Sequence, residues 1–367
     1  MKKATKVIRA GRDAAKQGEA FSGSVTFAGV FHAAGDPAEV PYTYGRYHNP
    51  TWTRFENALG ELEGGVAVSF ASGMAATAAV LGSILRPGDV LVMPSDCYYA
   101  ARVMAEGFFG EMGVVVRTAP TAGDGLRNLL DGAKLLWLET PANPGLDVCD
   151  IAALADAAHA AGALVAVDNT TATILGQDPL ALGADFSAAS DTKALTGHSD
   201  LILGHVAVRD EALAEKLLLW RKQIGAIPGP METWLAHRSL ATLEMRLTRQ
   251  CKNALAIAEY LATRDGVAGL RYPGLPTDPS HEIATRQMSL YGQIVSFVLA
   301  DKARADRFLR SCKLVYEATS FGGMSTTAER RARWGGDAIP EGFIRMSVGC
   351  EDSDDLIADI AQALDAV

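Results

Sequence analysis

The sequence predicts an α/β protein: a doubly wound, mostly parallel sheet followed by a smaller α+β unit. Three observations carry this. Short apolar runs alternate with Ala-rich helical patterns through the middle of the chain, the trace that strands and crossover helices leave. After about Gly225 the rhythm changes and helical patterning dominates. With 367 residues, 49% of them hydrophobic, the chain can bury more than one core.

The first ~45 residues show weak periodicity and read as an extended arm. "VAVSF" (66–70) then precedes a helix candidate, "GMAATAAVLGSIL". "DVLVMP" (89–94) leads into "AARVMAEGFFGEMG", and "GVVVRT" (113–118) and "AKLLWLET" (133–140) continue the strand series. The helical spacing of "DIAALADAAHAAG" (150–162) separates these from "ALVAVDNT" (163–170) and "ADFSAAS" (184–190). Beyond Gly225, "METWLAHRSLATLEMRLTRQCKNALAIAEYLATRDG" reads as one long or kinked helix, with Gly266 as its stop. A strand at 293–300, a helix near 303–312 and a final helix over 352–366 complete the smaller unit. The expected organisation is an arm over 1–45, a large domain over 46–225 and an α+β domain over 226–367.

The formal net charge is −9, which argues against general nucleic-acid or anionic-membrane binding. Five widely spaced cysteines with no C-x-x-C pair suggest neither a disulfide framework nor a zinc ribbon. No His/Cys/acid group has metal-ligand spacing, so no metal is expected. The N-terminal segment lacks an apolar core of signal-peptide length. All other apolar runs fall short of the ~18 residues that span a bilayer. A soluble cytoplasmic protein is the expectation.

Chemistry concentrates at predicted strand ends, where ligands gather in such sheets. Lys193 is the only lysine between Lys134 and Lys216 and sits in an apolar stretch just after Ser190 and Thr192. Asp168 closes the apolar strand "ALVAVD", where a carboxylate gains from burial only if a cation meets it. Gly73 follows a strand and opens a helix, so free backbone N–H groups there can cradle a phosphate. Upstream, Tyr44 and Arg46 precede Asn49-Pro50-Thr51, and such a Tyr/Arg pair also suits phosphate. Taken singly, each has an ordinary structural explanation. A phosphate cradle, a carboxylate for a ring nitrogen and an isolated lysine together specify pyridoxal 5′-phosphate held as a Schiff base.

The motifs "YGRYHNPT", "FASGMAA", "LETPANP", "AVDNT", "SDTKALTGHSD", "SFGG" and "FIRMSVGCE" stand in this order along the chain. In this the chain resembles the Cys/Met-metabolism PLP enzymes, over roughly residues 5 to 365. The resemblance implies an aspartate-aminotransferase-like, fold-type-I large domain with a seven-stranded sheet. It implies that Lys193 carries the cofactor, Asp168 pairs with the pyridine nitrogen, and Ser190, Thr192, Gly73 and Met74 hold the phosphate. Tyr44 and Arg46 would reach the phosphate of a neighbouring subunit, making a homodimer the minimum unit and a tetramer the favoured one. Tyr98 would stack on the cofactor and act in catalysis, while Arg345, helped by Asn143 and the Ser320 region, would clamp the carboxylate of an amino-acid substrate.

Departures from the family pattern bear on the substrate. Tyr98-Tyr99-Ala100-Ala101 replaces Tyr-Gly-Gly-Thr, and Ala100 stands where methionine γ-lyases resemble one another in having cysteine. Thr43 and Ser325 replace acids found in many cystathionine-using members. The activity expected first is a C–S lyase of the cystathionine γ-lyase type. Next come γ-replacement on an activated homoserine, and then β-elimination. An aminotransferase and an inert cofactor-binding protein are the remaining alternatives.

Overall fold

The computed structural model describes residues 1–12 and 14–367. Helix α1 (Lys3–Arg9) lies within the segment expected to be an arm without regular structure. Seven residues with one buried side chain, Val7, give too little periodicity to read. So short a helix depends on tertiary packing, here of Val7 and Ala10 in a cluster with Phe55, Ala58 and Leu59. Those residues belong to α2 (Pro50–Glu63), which explains part of the "HNPT" motif. Asn49 caps α2 by accepting from the Thr51 N–H at 2.8 Å, and Pro50 occupies the first turn, which needs no N–H. The Asn49 amide also donates to the Thr26 carbonyl at 2.9 Å, tying the arm to the helix.

The large sheet contains β1 (Val66–Phe70), β2 (Val90–Pro94), β3 (Val115–Ala119), β4 (Ala133–Glu139), β5 (Leu164–Asp168), β6 (Phe186–Ala189) and β7 (Gly204–Val208). Its order is β1-β7-β6-β5-β4-β2-β3. All neighbours are parallel except β7, which runs antiparallel to β1 and β6. Six of the seven strands follow the predicted series, within a residue or two at each end, and β7 was not among the segments predicted. Helices α3 (Gly73–Ile84), α4 (Tyr99–Val103), α5 (Ile151–Ala160) and α6 (Thr173–Gly176) lie in its connections, and α7 (Glu211–Ile224) follows β7. Alternate strand residues serve opposite faces. Leu135 and Trp137 of β4 pack in the cluster that holds α3 and α7 side chains, while Leu136 and Leu138 meet α5. A strand buried on both faces reads as a continuous apolar run, as "LLWL" does.

The 231–266 stretch divides into α8 (Pro230–Leu240) and α9 (Leu243–Leu261). At the break, Thr242 donates its hydroxyl to the Ser239 carbonyl at 3.2 Å and accepts from Arg246 Nε at 3.1 Å. Such local side-chain bonds compete with the helix ladder. Helix α9 contributes Leu243 and Leu247 to the core beneath the large sheet, and Ile257 and Leu261 to the core of a second sheet. That sheet has β8 (Ala268–Arg271), β9 (Ile294–Val298), β10 (Tyr316–Glu317), β11 (Thr327–Arg330) and β12 (Phe343–Ser347), in the order β10-β11-β12-β9-β8. Helices α10 (His281–Gln287), α11 (Lys302–Ser311) and α12 (Ser353–Asp365) accompany it. No helix among the described residues is long and apolar enough to cross a membrane.

Candidate active site

A cleft of about 520 Å³ opens where the carboxyl ends of β4, β5 and β6 meet the start of α3 and loops of the second sheet. The register aligns Glu139 with Asp168 across β4 and β5, and Asp168 with Ala188 across β5 and β6. Acids at the ends of two strands and the lysine turn after a third thus reach one edge. Every expected site residue lines the cleft except Tyr44 and Arg46.

On one side, Ser72 caps α3 by accepting from the Ala75 N–H at 3.0 Å. This leaves the N–H groups of Gly73 and Met74 outside the helix ladder, at its positive end. A Cβ on Gly73 would lie 2.5 Å from the Ser190 Cβ, so glycine alone lets the serine approach the helix start. The Ser190 N–H is fixed by Thr170 Oγ1 at 2.8 Å. The result is a cradle of N–H and O–H donors that fits a phosphate. Thr192 borders it, yet its hydroxyl exchanges two 3.1 Å bonds with the Leu203 backbone, securing the return of the chain into β7.

Lys193 donates to Ser320 Oγ at 2.7 Å, and its ammonium stands 5.2 Å from the centre of the Phe321 ring. Ser320 holds a left-handed φ of 75°, uncommon for a residue with a side chain and frequent at functional sites. Gly322 lets this loop approach so closely, because a Cβ there would fall 2.3 Å from the Ala194 nitrogen. Burial, then the nearby Arg345 guanidinium, push the Lys193 pKa down to about 8. Asp168 accepts from the Thr170 N–H at 3.0 Å, and burial raises its pKa. A partly desolvated carboxylate at this edge suits the protonated ring nitrogen of a pyridine. Cradle, acid and lysine match the three ends of pyridoxal 5′-phosphate.

On the opposite side, Arg345 of β12 is buried, donating to Asn143 Oδ1 at 2.6 Å and to the Ser320 carbonyl at 2.9 Å. Its partner is Glu329 of β11, at 2.5 Å and directly across the register. Burial lowers the Arg345 pKa to about 10, against the pull of Glu329. The guanidinium is oriented from three directions and remains charged at neutral pH, as a clamp for a carboxylate requires.

Tyr44 and Arg46 lie outside this cleft. Arg46 donates to the Lys222 carbonyl and stacks 5.0 Å from the Tyr47 ring centre, while Tyr44 is exposed. Several cleft residues escaped sequence reasoning. Glu139 closes an apolar strand just as Asp168 does, so the same signal was present. Its carboxylate receives the Tyr98 N–H at 2.7 Å and the Asn143 N–H at 2.8 Å, joining the tyrosine turn to the clamp. Burial, then the Asp168 charge, push its pKa well up. Thr170, Glu329, Arg331 and Trp334 gave no pattern in the sequence. The five cysteines are free, and no group of three His, Cys, Asp or Glu among the described residues could hold a metal.

Residues 4–365 match the family described as Cys/Met metabolism PLP-dependent enzyme. The chain is 59% identical to a Streptomyces coelicolor protein provisionally named cystathionine γ-lyase, covering 98% of this chain and 93% of that one. It is 38% identical to a cystathionine γ-synthase of Mycobacterium tuberculosis, covering 88% and 86%. Among solved structures, the cystathionine γ-lyase of Lactobacillus plantarum, complexed with L-serine, superposes with a TM-score of 0.95 at 32% identity, covering 100% and 99%. The chain belongs to the Cys/Met metabolism PLP-dependent enzymes, and its cofactor is pyridoxal 5′-phosphate.

Proposed function

We propose that this enzyme is a C–S lyase of the cystathionine γ-lyase type, splitting a homocysteine thioether by α,γ-elimination. The observation that carries the reading is the pairing at Ser320. Its hydroxyl holds the Lys193 amine at 2.7 Å, while its carbonyl holds Arg345 at 2.9 Å. A base and a carboxylate clamp are thereby fixed one residue apart, as proton removal beside an amino-acid carboxylate demands. The provisional name of the Streptomyces relative agrees with it.

Bound at Lys193, pyridoxal 5′-phosphate supplies an electron sink for the substrate α-carbon. Arg345 takes the α-carboxylate and sets the α-C–H toward the lysine. Freed when the substrate amine takes its place, Lys193, with its pKa lowered to about 8, removes the α-proton, returns it to the conjugated system of the bound substrate and, neutral again, removes a β-proton. The γ-carbon–sulfur bond breaks, and Tyr98 at the cleft mouth hands a proton to the departing thiolate. Water completes the balance: thioether plus water yields thiol, ammonia and a 2-oxo acid. Gly73, Met74 and Ser190 anchor the phosphate, and Asp168 keeps the ring nitrogen protonated. The exposed arm carrying Tyr44 and Arg46 completes the cleft of a neighbouring copy, which makes a homo-oligomer the working unit.

γ-Replacement on an acylated homoserine is the second reading, supported by the γ-synthase relative and by Thr43 and Ser325 in place of acids. A substrate panel separates the two. Thioethers alone should release thiol and 2-oxo acid. If only acylated homoserine with cysteine reacts, giving cystathionine, the lyase reading is wrong.

A further inference from the structure

The cleft has one wall with no part in this machinery, the turn at Arg331–Trp334 that follows β11. Arg331 donates from Nη1 to Glu329 Oε1 at 3.2 Å and from Nη2 to Asp337 Oδ2 at 2.7 Å. Asp337 is held in turn by Arg102 of α4 at 3.0 Å, and Gly336 packs against the Tyr99 ring. The Arg331 guanidinium is therefore fixed from two sides. Of its five N–H donors, these bonds occupy two, and its Nε–H is buried without a partner. That donor is closed to solvent, and the second hydrogens of Nη1 and Nη2 are the ones left for an incoming acceptor.

Glu329 Oε1 also accepts from Arg345, so two guanidinium groups share one oxygen and stand side by side in one cleft. The first suits the α-carboxylate; the second is equipped for another anion. A distal ammonium has no comparable partner on this wall. Glu329 already serves Arg331, Arg333, Arg345 and the Trp334 N–H, and Asp337 serves Arg102 and Arg331. The Trp334 ring, held by its 2.8 Å bond to Glu329, is 55% exposed at the cleft beside Arg331. It offers a fixed apolar face to a carbon–sulfur chain.

We propose that Arg331 is a specificity-determining residue that receives a carboxylate at the far end of a homocysteine thioether, with Trp334 covering the chain between. The inference rests on the thioether-lyase reading above.

Three thioethers test it on the holoenzyme: S-(2-carboxyethyl)-, S-(2-aminoethyl)- and S-propyl-homocysteine. For each, kcat/KM is read from 2-oxo acid and Kd from the change in cofactor absorption on titration. The carboxylate-bearing compound should be preferred by about tenfold or more. Arg331→Gln should bring the three close to equality, and Arg331→Lys should keep part of the preference. A ratio between substrates is insensitive to the folded fraction of a variant. Equal Kd values in the unaltered enzyme, or an Arg331→Gln variant that weakens all three alike, would overturn the inference. Absence of 2-oxo acid from all three would instead sink the lyase reading, and the titrated Kd values would still decide the role of Arg331.

Discussion

The two sides of the cleft are built differently. The side proposed here for the cofactor is made of strand ends and a helix start within one sheet: Gly73, Asp168, Ser190 and Lys193. Its donors are mainly backbone N–H groups and short hydroxyls. The side proposed for the substrate comes from the second sheet and rests on long charged side chains that position one another: Arg345, Glu329, Arg331 and Asp337. The first side is set by fold geometry and allows little variation. The second can change its specificity by replacing one side chain in a network. Damage to the two sides should therefore show differently, as loss of cofactor or chemistry on one and as altered KM on the other.

The largest effect is expected on the cofactor side. Lys193→Ala should abolish the visible absorption of the lysine-bound cofactor and lower kcat about a thousandfold or more. A surviving band would break the assignment. Gly73→Val should come next. With a Cβ 2.5 Å from that of Ser190, it fills the cradle, and equilibrium dialysis should show weakened pyridoxal phosphate binding. Unchanged affinity would place the phosphate elsewhere.

On the substrate side, Arg345→Lys removes the fork but not the charge. It should cost about 10- to 100-fold in kcat/KM, mostly as raised KM, with the cofactor spectrum intact. A fall in kcat alone would contradict the division between the two sides.

The lysine links them through pH. Its neutral form increases as pH rises through about 8, so apoenzyme should take up cofactor faster with pH and level off above that value. Arg345→Gln removes a like charge and should move the midpoint upward; a downward shift would be wrong in sign.

The smallest effect concerns the scaffold. Burial opposes protonation of His205, but Asp191 at 2.6 Å and Glu63 at 3.2 Å outweigh it and raise its pKa from 6.5 to about 10. With the folded pKa raised, the stabilisation is complete below pH 6.5 and disappears as pH rises through about 10. The Tm difference between the unaltered enzyme and His205→Asn should shrink over that interval. A constant difference would mean that the imidazolium is not responsible.

That Gly73, Asp168, Ser190 and Lys193 meet at one sheet edge was legible in the sequence because the signals are local. An acid ending an apolar run, a glycine opening a helix and a lysine alone in a core-like stretch are each visible within ten residues. Glu139 obeyed the same rule and was overlooked beside Asp168. The substrate side was readable only in part. Arg345 and Ser320 lay in motifs the family shares, but Glu329, Arg331 and Trp334 lie in "ERRARW", a charged segment without periodicity. Only the pairing of β11 with β12 brings Glu329 opposite Arg345. Helix α1 was missed for a related reason, since it is held by α2 and α9 rather than by its own seven residues.

The most direct test of the central claim is the identity of the thiol released from L-cystathionine. γ-Elimination predicts cysteine, with ammonia and 2-oxobutanoate in equal amounts. Homocysteine and pyruvate would mean β-elimination, and no thiol at all would contradict the lyase assignment.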